Sequence, residues 1–169
     1  MVGFLVLYAV IALERLAELL ISRRNAAWSY SQGGQEFGRE HYPWMVLLHT
    51  GTLLLAPLEV FWLNRPFTPL SGYACLALCA VSQALRWWVI STLGRRWNTR
   101  VIVIPSLVPI EGGPFRWFRH PNYLAVVVEG AALPLVHNAW ITATLFTLLN
   151  LWLLSVRIAV EDRALGRRP

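Results

Sequence analysis

The sequence has no lysine, only two cysteines and few charges. Asp, Glu and Arg together make up 14% of its 169 residues, against about 25% charged in an ordinary soluble domain. With 56% hydrophobic residues, the chain is not disordered, because disordered chains are polar and charge-rich. Cys75 and Cys79 lie in an apolar stretch at helical spacing. That excludes a disulfide scaffold and reads as two small residues facing lipid or a neighbouring helix. All 15 basic residues are arginine, and the net charge is +6. A basic chain can signal nucleic acid. The mean hydropathy of +0.49 argues against that partner and points to a bilayer, where basic loops beside spans are expected. There is no internal repeat, and no metal site is expected.

What is present is a set of apolar runs. At roughly 20 residues per span, the chain has room for about five. The runs cover 2–21, 43–63, 70–93, 122–136 and 139–160, so the expected fold is an all-α integral membrane protein forming a single domain. Residues 1–93 supply a three-helix part; 94–169 supply a loop, a terminal hairpin and a tail. The first run lacks a basic start and a small-residue cleavage site, and it contains Glu14, Arg15 and Glu18, so it is not a signal peptide. The fourth run is short for a full crossing. His137 and Asn138 are all that separate the last two, so those should form a tight antiparallel hairpin.

The loops set the orientation. Arg23, Arg24 and Arg39 fall in loop one, and Arg65 alone in loop two. Arg95, Arg96, Arg100, Arg116 and Arg119 fall in loop three, and Arg163, Arg167 and Arg168 in the tail. Counting basic residues near span ends puts loop one, loop three and the tail in the cytoplasm and the N-terminus outside. Trp28, Trp44, Trp62, Trp97, Trp117 and Trp140 fall near span ends, where interfacial anchors belong.

Charges inside the apolar runs are the first functional clue. Glu14, Arg15, Glu18, Glu59, Arg86, Glu129, Arg157 and Glu161 are costly in hydrocarbon and should face a protein interior or a water cavity. The plain reading is mutual pairing: Arg15 with Glu18 or Glu14, and Glu59 with Arg86. The second clue is the loop over 93–121. Gly112-Gly113-Pro114 makes a turn, and His120-Pro121 opens the fourth helix, since proline suits a first helical turn. The free N–H groups of that turn make a seat for an anion such as a carboxylate. The third clue is Arg157 and Glu161, four apart and therefore on one helix face, with Asn150 two turns earlier on the same face. Their plain reading is a boundary ion pair. Asp162 points elsewhere and reads as solvated.

Together, Gly-Pro-Phe-x-Trp-Phe-Arg-His-Pro-x-Tyr over 113–123 and Arg-x-x-x-Glu-Asp-x-x-Leu over 157–165 resemble the isoprenylcysteine carboxyl methyltransferase family. The resemblance covers about 93–165. It implies an integral membrane enzyme, sited in a bacterial inner membrane, that uses S-adenosylmethionine from the cytoplasmic side. His120, Pro121, Asn122, Tyr123 and Glu161 would then bind the cofactor. Phe115 stands where relatives have Tyr, and Leu107, Val108, Pro109 and Ile110 would form a nearby wall. Arg157 would be the catalytic residue that holds the acceptor, with Asn150 beside it. Asp162 replaces the usual Glu. Relatives often continue past the final Leu with a charged, aromatic stretch that these residues do not include. Related C-terminal halves also occur in phospholipid N-methyltransferases and sterol reductases.

The chemistry fits the residues. Methyl transfer to an ionised oxygen needs proximity and orientation rather than covalent help, and an arginine can fix that oxygen by charge-assisted bonds. A lipophilic acceptor would enter from the membrane lipid. Gly-Gly-Pro-Phe-Arg-Trp and Arg-His-Pro-Asn-Tyr-Leu-Ala-Val resemble a compact bacterial branch of O-methyltransferases for long-chain alkylpyrones, which places an acidic pyrone hydroxyl first. The alternatives are a prenylcysteine carboxylate, a phospholipid amine, or a non-enzymatic membrane subunit. The charge count makes one prediction. A reporter fused at the C-terminus is expected to read as cytoplasmic and one in the loop over 64–68 as external; a C-terminal reporter that reads as external contradicts this topology.

Overall fold

The computed structural model describes residues 2–166. Their helices are α1 (Val2–Ser31), α2 (Tyr42–Trp62), α3 (Pro69–Leu93), α4 (Pro121–Leu135) and α5 (Trp140–Ala164). Two short strands, β1 (Gln35–Phe37) and β2 (Val101–Val103), pair antiparallel, with Gln35 opposite Val103 and Phe37 opposite Val101. The fold is thus an all-α membrane protein with a small two-stranded clip, one strand of which, Val101–Val103, comes from the third loop.

Among the described residues, three helical stretches are long and apolar enough to cross a bilayer: Tyr42–Trp62, Pro69–Arg96 and Trp140–Ala164. The other two helices depart for visible reasons. The 15 residues of α4 reach about 22 Å at ~1.5 Å each, less than the ~30 Å hydrocarbon core. In α1, Glu14, Arg15 and Glu18 interrupt the apolar run. Proline in the first turn starts α2, α3 and α4, where its missing N–H costs nothing. Gly94 ends α3 at φ 54, a conformation that strains any residue with a Cβ.

The first helix continues well beyond the expected end at residue 21. Its extra turns carry Ser22, Asn25 and Ser29 on the buried side, and these hold the third loop. Asn25 Nδ2 donates to the carbonyl oxygens of Trp97 at 2.7 Å and Gly94 at 3.2 Å. Thr99 N donates to Ser22 Oγ at 2.9 Å. Trp97 is only 2% exposed and packs with Val89 and Ile90, so it is a core residue rather than an interfacial anchor. Trp44, Trp62, Trp117 and Trp140 are exposed, as anchors should be.

The helices pack α3 on α4, α4 on α5 and α5 on α2. At Gly130 of α4, an added Cβ would stand 1.9 Å from the ring of Phe146 on α5. Glycine there leaves room for the Phe146 ring to lie against the α4 backbone, a use of small residues common between membrane helices. The hairpin turn has Asn138 at φ 56. Asn138 Nδ2 donates to Pro66 O at 2.7 Å, and His137 Nδ1 lies 3.1 Å from Arg65 O, tying this turn to the α2–α3 loop.

The intramembrane charges are paired, though one pairing differs from expectation. Glu18, 2% exposed, takes Arg86 Nε at 2.5 Å and Nη2 at 2.7 Å. It also accepts from Arg15 Nη1 at 2.9 Å. Arg15 Nη2 reaches Glu129 of α4 at 3.3 Å and Gln83 of α3 at 2.9 Å, and Trp87 Nε1 donates to Glu14 at 2.6 Å. Glu59 does not meet Arg86. It lies at the far end of α2, while Arg86 sits 17 residues into α3, about 25 Å along the helix. Glu59 instead takes Arg65 Nη2 at 2.9 Å and the N–H groups of Ile141 and Thr142 at 3.1 and 2.7 Å. An anion there complements the α5 dipole.

Glu18 is the hub on which α1 and α3 meet. Removing one partner of a buried ion pair costs about 3–5 kcal/mol, and Glu18→Gln leaves two guanidiniums short of a shared carboxylate. Unfolding followed in detergent is expected to show a loss of that size. A Glu18→Gln protein as stable as the parent would show that the cluster contributes little.

Candidate functional site

The start of α4 and the end of α5 lie side by side, because the two helices form an antiparallel hairpin. Between them and the third loop is a cavity of about 180 Å³, open on one side. His120, Pro121, Asn122 and Tyr123 line it from α4, and Arg157 and Glu161 from α5. Leu107, Val108, Pro109 and Ile110 form the opposite wall, with Phe115 beside them. The residues singled out in the sequence are thereby brought together, with one exception. Asn150 does not line the cavity. It lies two turns deeper in α5 at 0% exposure, and neither amide atom has a partner among the described residues.

Arg157 and Glu161 share a face, but Tyr123 comes between them. Arg157 Nε donates to Tyr123 Oη at 2.9 Å, and Tyr123 in turn donates to Glu161 Oε2. Arg157 Nη2 donates to Thr99 O at 2.7 Å. The guanidinium is therefore anchored at two corners, while Nη1 is used by neither bond. This replaces the simple Arg–Glu boundary pair.

His120 stacks on Tyr123, with centroids 5.4 Å apart and planes 16° from parallel. Its ring lies between two carboxylates: Nδ1 is 3.7 Å from Glu161 Oε1, and Nε2 is 3.3 Å from Asp162 Oδ1. Asp162 is thus buried and paired rather than solvated, and Arg119 Nε lies 3.9 Å from it. Asp162 was misread because it is adjacent to Glu161, not four apart. It reaches His120 across the hairpin, which spacing within one helix does not show.

The apolar wall is held by a basic residue that the motif reading missed. Arg96 Nη1 donates to Val108 O at 2.7 Å. Thr99, which receives Arg157, was missed as well, and Ser22 fixes it from α1. Ser22, Asn25 and Ser29 recur at helical spacing through Arg23-Arg24, and that periodicity was the available signal. Asn98 Oδ1 and Asn122 Oδ1 are buried at the cavity without a partner among the described residues. Buried polar atoms are rarely left so.

Three comparisons bear on this geometry. The model of the isoprenylcysteine carboxyl methyltransferase (ICMT) family matches residues 75–167. An uncharacterized protein, YpbQ, of Bacillus subtilis is 37% identical over 163 residues, covering 96% of each chain. An uncharacterized protein of Haemophilus influenzae is 27% identical over 160 residues, covering 94% of this chain and 92% of its own. No solved structure matches.

The His120 geometry has a pH consequence. The Glu161 carboxylate, aided by Asp162, raises the imidazole above its usual value, against a smaller opposing effect of burial. A raised value means that the folded state binds the proton more tightly than the unfolded one. The stabilisation is therefore complete below about 6.5, the ordinary imidazole value, and is lost as pH rises through the raised value. The stability difference between the parent and His120→Gln, measured by thermal unfolding across pH, is expected to shrink above that point. A difference that does not change with pH would show that the ring is neutral throughout.

Proposed function

The chain belongs to the isoprenylcysteine carboxyl methyltransferase family, a family of membrane methyltransferases, and we propose that it moves a methyl group from S-adenosylmethionine to an acidic oxygen on a lipophilic acceptor at the cytoplasmic face. The observation that carries this is the meeting of His120, Tyr123, Arg157 and Glu161 at one cavity.

The chemistry of the cavity's lining suits the cofactor. S-Adenosylmethionine supplies an electrophilic methyl on a cationic sulfur. Glu161 offers a carboxylate to the cationic portion, and the side-chain oxygens of Asn98 and Asn122 lack partners among the described residues. Leu107, Val108, Ile110 and Phe115 offer an apolar wall suited to a purine ring. Arg157 faces the same cavity with Nη1 to spare, so it holds the acceptor oxygen by a charge-assisted bond.

The acceptor is argued from its surroundings. Leu47, Leu48, Leu149, Trp152 and Leu153 line an apolar groove of about 830 Å³ between α2 and α5. Leu153 is one turn from Arg157, so the groove suits the tail of a molecule whose head lies at the arginine. A long-chain alkylpyrone hydroxyl stands first, on the likeness of the stretches around Phe115 and His120 to that bacterial branch, with a prenylcysteine carboxylate as the alternative. Membranes incubated with labelled cofactor and each candidate separate these two.

Cofactor binding tests the site without needing the acceptor. Loss of a charge-assisted bond costs about 1.5–3 kcal/mol, or roughly 10- to 150-fold in affinity. His120→Ala and Glu161→Ala are each expected to weaken S-adenosylmethionine binding by that much. Unchanged affinity in both folded variants removes these residues from the site, and a parent protein that binds no cofactor favours a non-enzymatic subunit. Arg157→Lys is expected to bind cofactor yet turn over on the order of a hundredfold more slowly, because misplacement by about 1 Å has that effect and lysine lacks the planar fork.

A further inference from the structure

The apolar groove between α2 and α5 holds a glycine that packing within the protein does not explain. Gly51 lines the groove from the middle of α2, where glycine is less favourable than alanine because it gives up more backbone freedom on folding. At two other helical glycines a ring stands where the side chain would be, Phe146 at Gly130 and Phe67 at Gly72. At Gly51, an added Cβ would meet no atom of the described residues within 4 Å. The groove also has a direction. Glu59, near the end of α2, takes the N–H groups of Ile141 and Thr142 at the start of α5. At the start of α2, Tyr42 Oη is 3.1 Å from Thr99 Oγ1, and the Thr99 carbonyl accepts from Arg157 near the end of α5. The two helices therefore run antiparallel, and the inner end of the groove, at Trp44 and Leu153, is one turn from Arg157. Gly51 lies eight residues before Glu59 and Leu149 seven after Thr142, so both line the groove at about one depth. Leu149 is eight residues from Arg157, about 12 Å along the helix. An extended alkyl chain advances about 1.25 Å per carbon, from C–C bonds of ~1.5 Å at about 111°, so that distance is about ten carbons.

We propose that Gly51 is a specificity-determining residue for the acceptor: the long alkyl tail of the methyl acceptor lies against the α2 backbone there, as the Phe146 ring lies against α4 at Gly130. This rests on the methyltransferase reading above. The occupant is a tail joined to a head at Arg157, because the groove runs from one turn short of that guanidinium through the gap over Gly51. Beyond Gly51 it continues for a further ~12 Å to Glu59, which also lines it and is tied to Arg65. Charge therefore stands where the far end of the tail arrives, and the groove has length for about 15 to 20 carbons. Such a tail gains little by leaving lipid for protein, since membrane hydrocarbon is as apolar as leucine. Selection in the groove is therefore by shape. A bulky side chain at position 51 admits tails that end before it. It stops longer ones and draws their heads out of line with the donor methyl.

The test uses the full chain in lipid nanodiscs with S-adenosylmethionine and alkylpyrones carrying unbranched tails of about 3 and about 15 carbons, one shorter and one longer than the distance to Gly51. S-Alkylcysteine carboxylates with the same tails run in parallel, and the long-to-short ratio of turnover is read on whichever head the parent methylates. Gly51→Phe is expected to lower that ratio on the order of a hundredfold, because misplacing the head by about 1 Å has that effect. Cofactor affinity and turnover of the short acceptor are expected to stay at the parent level. Gly51→Ala adds only a Cβ and is expected to fall between the parent and Gly51→Phe. Leu149→Trp narrows the groove from α5 at the same depth, so the same loss is expected, and it decides the matter if Gly51→Phe does not fold. An unchanged ratio in the folded variants, or equal losses on short and long tails, overturns the role of Gly51 and leaves the groove to bilayer lipid. A parent that binds S-adenosylmethionine yet methylates neither head overturns the acceptor tail as the occupant. A parent that binds no S-adenosylmethionine overturns the methyltransferase reading itself.

Discussion

The hydroxyl of Tyr123 joins the two ends of the terminal hairpin. It accepts from Arg157 and donates to Glu161, so the first turn of α4 and the last turns of α5 are locked in register. Without that bridge, a guanidinium and a carboxylate four residues apart would pair directly or turn to solvent. With it, the arginine is anchored and the carboxylate is held beside His120 and Asp162. The cavity takes its shape from this arrangement. A hydroxyl is suited to the position because it donates and accepts at once.

The rest of the molecule supports the bridge through buried polar contacts, which a low-dielectric setting makes both strong and costly to leave unmade. Glu18 gathers Arg15 and Arg86, and Arg15 extends to Glu129 on α4. That cluster joins α1 and α3 to the hairpin. From α1, Ser22 and Asn25 then reach the third loop, which presents Thr99 to Arg157. The chain of contacts runs from the N-terminal helix to the site, so the first half of the sequence is part of the site's scaffold although it carries little of the motif.

Much of this was legible in the sequence. Apolar runs located α2, α3, α4 and α5 within a few residues, because proline and glycine punctuate them and hydrocarbon thickness sets their length. The motif residues around His120 and Glu161 line one cavity, as their spacing on either side of a hairpin suggests. What was not legible came from contacts between elements. The extension of α1 past Arg23-Arg24 depends on buried Ser22 and Asn25 finding the third loop. The pairing of Glu59 with the start of α5 depends on which helix ends meet. Asp162 was set aside, and Asn150 brought in, by spacing along α5 alone. Asp162 reaches His120 across the hairpin, and Asn150 lies too deep to reach the cavity. Periodicity within one helix is blind to both.

The central claim is that a methyl donor occupies the space bounded by Tyr123, Glu161 and the loop over 107–110. The most direct measurement is an experimentally determined structure of the protein in a lipid nanodisc with S-adenosylhomocysteine bound. The account predicts density for the ligand in that cavity, with its amino acid portion near Glu161 and its sulfur facing Arg157. Ligand density elsewhere, with this cavity filled only by side chains or lipid, would contradict it.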